Sequence, residues 1–99
     1  MIVYYGVLSV KPGQRNAYIH ELKEANLEAR FRKQHGNVFY SIAASITDEN
    51  SIVVCDAWET REDFDAHVSS EDCKLWFQLH NKYVEMDTRG DTFTAEMLV

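Results

Sequence analysis

Ninety-nine residues with a formal net charge of -6 make one domain, 1–99, whose small core leaves room for help from a second subunit. Acidic residues outnumber Lys and Arg by 16 to 10 and the basic ones are scattered, which excludes the electrostatic footprint of a nucleic-acid binder. No run approaches the roughly 20 apolar residues of a membrane helix, and Met1–Tyr5 has no basic export signal, so the expectation is a cytoplasmic protein with a small neutral or aromatic ligand and no membrane partner.

Ile2 to Val10 is apolar except at Gly6 and Ser9 and rich in β-branched and aromatic types, which predicts a strand covered on both faces. Lys11-Pro12-Gly13-Gln14 stops it. Tyr18, Leu22, Ala25 and Ala29 then recur at helical spacing and predict one helix of about five turns ending near Lys33. Leu27 and Phe31 fall on its opposite side, as exposed singles or as a contact with another chain. Gly36, in His35-Gly36-Asn37, suits a left-handed C-terminal position.

Val38–Ile46 alternates and, after the polar Thr47-Asp48-Glu49-Asn50, a second strand runs Ser51–Glu59, which predicts a hairpin. Thr60 with Asp63 resembles a capping box and starts a short helix through Phe64 and His67. Ser69 or Ser70 caps a second helix lasting to about Met86. On it Leu75, Trp76, Leu79, Tyr83 and Met86 make one apolar sector and Cys73, Phe77, His80 and Val84 an adjoining one. Asp87–Asp91 is a turn and Thr92–Val99 a last strand. Cys55 and Cys73 have no C-x-x-C spacing and read as free thiols buried as small hydrophobes.

Strand, helix, strand, strand, helix, strand is the α+β, ferredoxin-like split βαβ order: a four-stranded antiparallel sheet with its helices on one face. The first three strands carry apolar residues on both sides, so the uncovered face predicts a homodimer packed sheet to sheet.

Val10-Lys11-Pro12-Gly13, Gly36, Trp58, Phe64, His67 and Ser70, in this element order, resemble the antibiotic biosynthesis monooxygenase (ABM) domain family. The resemblance implies a dimeric α+β barrel and places the chain near quinol monooxygenases. Haem-degrading relatives of the fold depend on an Asn, a Trp and a His where this chain has Gly6, His67 and Phe77. The segment Val68–Trp76 is also similar to rhamnose mutarotases, which are sugar isomerases.

Oxygenation without metal or flavin needs a substrate that itself gives an electron to oxygen, such as a quinol or polyphenol anion. The protein then supplies a dry pocket, a proton acceptor and donors for developing charge. His67 is the expected catalytic base, an imidazole near its normal pKa, with a hydrogen-bonded helix-end histidine as its structural alternative. Trp58, Trp76 and Phe77 are expected to sandwich an aromatic substrate, with Tyr40 and His80 on its oxygens. Core packing is the competing role for Trp58 and Phe77. Asp56 shares a strand face with Trp58 and, if buried, needs a partner or a raised pKa, with a salt bridge to Lys or Arg as the default. His20, His35, His67 and His80 lack ligand spacing, so no metal and no cofactor are expected. The alternative readings are a sugar or small-carbonyl isomerase using Tyr40, His67 and His80, and a non-catalytic small-molecule-binding module.

Overall fold

A computed structural model describes residues 1–85 and 92–97. The elements are β1 (Ile2–Ser9), α1 (Arg15–Glu24), α2 (Leu27–Arg32), β2 (Asn37–Ala44), β3 (Ser51–Trp58), α3 (Arg61–Val68), α4 (Glu71–Tyr83) and β4 (Thr92–Glu96). The four strands form one antiparallel sheet in the order β2-β3-β1-β4. This is the α+β, ferredoxin-like arrangement that the element order predicts.

The two sheet faces separate by period two. Ile2, Leu8, Ile52, Val54, Trp58 and Tyr40 are buried, and with Tyr18, Leu22, Leu27, Phe31, Cys73 and Trp76 they make up the core on the helical side. The alternate residues Val3, Tyr5, Val7, Val53 and Cys55 are half-buried, and Phe39 is exposed. Cys55 is thus on the uncovered face, while Cys73 is buried as expected.

The predicted five-turn helix is two helices. Asn26 adopts a left-handed backbone (φ 54°) between α1 and α2, a conformation that Asn tolerates better than most residues. The break turns the second piece, so that Leu27 and Phe31 are fully buried rather than facing outward. A strictly continuous 3.6-residue period would have kept them on the far side from Tyr18 and Leu22.

Both predicted caps form: Thr60 Oγ1 accepts from Asp63 N–H at 3.1 Å and Ser70 Oγ from Cys73 N–H at 3.2 Å. Helix α4 buries Cys73, Trp76, His80 and Tyr83, a stripe cutting across the two predicted sectors, with Leu75 and Leu79 at its edge. The helix ends at Tyr83; Met86 and the turn Asp87–Asp91 lie outside the described residues. Past the helix, Val84 bridges Val10 and Glu85 N–H donates to Ser9 C=O at 2.9 Å, tying the exit of α4 to the end of β1. Strand β4 stops at Glu96, short of the predicted Val99, and Leu98 and Val99 lie outside the described residues.

Candidate active site

Trp58, fully buried at the end of β3, lies between two ionisable groups. His67 stacks on its indole with centroids 4.5 Å apart. Asp56, two residues back on the same strand face, accepts its Nε1–H through Oδ2 at 2.6 Å. Tyr40 adjoins both groups: its ring is 5.5 Å from His67, and it is the register partner of Asp56 on β2. Phe31 meets the His67 ring edge-on at 4.8 Å.

A short hydrogen-bond relay fixes the tautomer of His67. Ser70 Oγ donates its only hydrogen to His67 C=O at 2.6 Å, so toward Gln34 it accepts, from Nε2 at 3.0 Å. That turns the Gln34 Oε1 oxygen to His67 Nδ1 at 2.7 Å, and an oxygen acceptor there requires Nδ1 to carry the hydrogen. The lone pair is then on Nε2. Gln34 has no signal in the sequence beyond being a polar residue after a helix; Ser70 reads there as a cap alone.

Burial pushes the His67 imidazole down to about 4, with the charge of Asp72 opposing in part. It is therefore neutral at pH 7 but a weaker base than the near-normal histidine expected. Asp56 moves the other way. Burial raises its carboxyl to about 6, against the lowering effect of the Trp58 hydrogen bond. The default salt bridge does not form: Trp58 takes one oxygen, and Oδ1 has no hydrogen-bond partner among the described residues. Desolvation also raises Tyr40, followed by the charges of Asp56 and Cys73, and raises Cys73 to about 11.

Trp76 and His80 are buried on α4, their rings 6.3 Å apart, and Tyr18 on α1 lies 6.2 Å from Trp76 and stacks on Tyr83 at 5.1 Å. The structure thus gathers His67, Tyr40 and Trp58 into one group, with Trp76 and His80 in a neighbouring one. It leaves Phe77 apart, 44% exposed on the outer side of α4. A cleft of about 650 Å³ lies elsewhere, between α1, α2 and β2, lined in part by Ile19, Leu22, Asn26, Arg32 and Ile42; none of the six expected site residues lines it. Among the described residues no three His, Cys, Asp or Glu side chains converge as a metal site.

An antiparallel sheet with its helices on one face defines the α+β ferredoxin-like class, here with a carboxyl and an imidazole buried around one indole. The antibiotic biosynthesis monooxygenase family profile matches residues 1–79, and the chain belongs to that family. Three solved structures share its fold. A candidate antibiotic biosynthesis monooxygenase from Nitrosomonas europaea is 24% identical with a TM-score of 0.82, each chain covered over 100%. A Bacteroides thetaiotaomicron protein of unknown function, described as a possible oxidoreductase, is 22% identical (TM-score 0.81; 97% of this chain, 96% of that one). A Mycobacterium tuberculosis protein is 17% identical (TM-score 0.80; 99% and 95%). No curated protein sequence matches the chain.

Proposed function

We propose that the chain is a cofactor-independent monooxygenase for a small quinol-like or polyphenolic substrate, acting as a cytoplasmic homodimer. The observation that carries this reading is the neutral, tautomer-fixed His67 on the face of Trp58, with Nε2 without a hydrogen-bond partner among the described residues. Family membership supports the reaction class.

In this reading His67 Nε2 accepts a ring hydroxyl proton, which leaves an anion electron-rich enough to react with dioxygen. Tyr40 and Trp58 flank the ring, Trp76 and His80 stand in the neighbouring group, and Phe77, exposed on the outer side of α4, takes no part. The low basicity of the buried imidazole suits a shared proton better than full transfer. Labelled dioxygen tests the reaction: one labelled oxygen atom in the product supports it, and a product labelled only from water refutes it.

A second reading, a sugar or small-carbonyl isomerase, is favoured by the presence of two ionisable groups around one indole, since isomerisation needs an acid and a base. Saturation transfer between anomers would be faster with protein present; unchanged exchange would dismiss it.

A further inference from the structure

Asp56 stands in a polar row that crosses the whole sheet. Its register partners are Tyr40 on β2 and Tyr4 on β1, and Tyr4 in turn faces Thr94 on β4. Period two puts all four on the helix-covered side. The row passes from exposed Thr94 through half-buried Tyr4 to the carboxyl, 1% exposed, and to buried Tyr40. One end of it is therefore exposed on the β4 edge strand, and the other, Tyr40 on the β2 edge strand, is buried.

Two fully buried polar atoms of this region, Asp56 Oδ1 and the Tyr18 hydroxyl, have no hydrogen-bond partner among the described residues. Native interiors seldom leave such atoms unpaired, because each costs roughly 1–3 kcal/mol. No Lys, Arg or His is ion-paired with Asp56 among the described residues. The polar and titratable groups placed around it are Tyr4 on β1, Tyr40 on β2, Trp58 and Cys55 on β3, and Cys73 on α4. A carboxylate so placed wants a donor, and a phenolic hydroxyl is a donor that also accepts.

We propose that Asp56 is a second proton acceptor of the site: a quinol or catechol enters along the Thr94–Tyr4 side and gives one ring hydroxyl to Asp56 Oδ1, with the other facing His67 Nε2. The inference rests on the quinol reading for its reaction, and on the row alone for its binding. Trp58 links the two acceptors, holding His67 on its face and Asp56 at its N–H edge. The chemistry balances as quinol plus dioxygen giving hydroxyquinone plus water. The ring supplies four electrons, the O–O bond breaks, and one oxygen atom bonds to a ring carbon, whose hydrogen ends on that oxygen. The second oxygen leaves as water with the two ring-hydroxyl protons, one drawn to Asp56 and the other shared with His67.

4-Nitrophenol, whose ionised form absorbs visibly and which is inert to oxygen, reports on Asp56 directly. Bound to the wild-type protein at pH 7.5 it should show a roughly tenfold lower phenolate-to-phenol ratio than in buffer, the change corresponding to one pKa unit, because a neighbouring carboxylate opposes a second negative charge. Asp56→Asn should abolish that difference. In wild-type protein carrying ¹³C-carboxyl aspartate, the Asp56 resonance should shift when the probe is added, a readout that needs no variant. An unshifted Asp56 resonance, equal ionisation in both proteins, or no binding to the wild type would overturn the proposal. Probe ionisation governed by Asp56 in a protein that consumes no oxygen with quinols would support the site and sink only the oxygenase. Oxygen uptake with an indifferent Asp56 would do the reverse.

Discussion

At the scale of single residues, the oppositely shifted pair on Trp58 gives opposed pH dependences. Asp56, raised from 3.8 to about 6, contributes stability that is full below pH 3.8 and lost as pH rises to about 6. His67, lowered from 6.5 to about 4, contributes stability that is full above pH 6.5 and lost as pH falls to about 4. Each is worth roughly 3 kcal/mol, and across pH 4 to 6 they cancel. Asp56→Asn should therefore expose the His67 loss, becoming less stable than wild type on acidification across that window. His67→Phe should expose the Asp56 gain and become relatively more stable. Urea unfolding at pH 4, 6 and 7.5 checks both signs; parallel profiles for all three proteins would contradict the account. Gln34→Leu should leave the fold intact while releasing the ring, so that ¹⁵N shifts of His67 report a tautomer mixture where those of the wild type should report Nδ1–H alone. The sequence puts Asp56 on the Trp58 face but not its lack of a cation, since which side chains surround a carboxyl is decided by elements distant in the chain. The same holds for Gln34, whose partners are His67 and Ser70 on and beyond α3.

Among the elements, period and caps were legible wherever local chemistry fixes geometry. Thr60 and Ser70 begin helices because their hydroxyls take orphan N–H groups. The apolar run of β1 and the alternation of β2 are likewise visible. The break at Asn26 was not, because Asn in mid-helix is only mildly unfavourable and the burial of Leu27 and Phe31 overrides its propensity. Asn26→Gly should leave stability nearly unchanged, whereas Asn26→Ala should cost about 1 kcal/mol by thermal unfolding. Gly36 is the stricter position: φ is 79°, and a Cβ would meet the Asp63 carboxylate, which also accepts from His35 at 2.8 Å. Gly36→Ala should cost roughly 2 kcal/mol or more, and a neutral result would contradict the packing of α3 on the α2–β2 turn.

For the whole molecule, order and patterning predict the sheet with helices on one face, and the family profile agrees with that architecture. The uncovered face carries Val3, Tyr5, Val7, Phe39, Val53 and Cys55 in neighbouring register rows, an apolar surface that supports the proposed dimer. Val53→Asp should convert a micromolar dimer to monomer in sedimentation velocity while preserving the helical circular dichroism; a wild-type monomer would contradict the assembly. The site is legible to a lesser degree than the fold. His67, Tyr40 and Trp58 come together as their positions suggest, but Phe77 lies outside because the buried stripe of α4 passes through Cys73, Trp76, His80 and Tyr83.

The proposed oxygenase is tested most directly by oxygen uptake of metal-free protein against a panel of quinols and catechols, with autoxidation subtracted and His67→Gln measured beside the wild type. The account predicts protein-dependent uptake with at least one member and a fall of about 10²-fold or more in the variant, the scale of a lost general base. No uptake above autoxidation across the panel, or equal uptake by the variant, would contradict it.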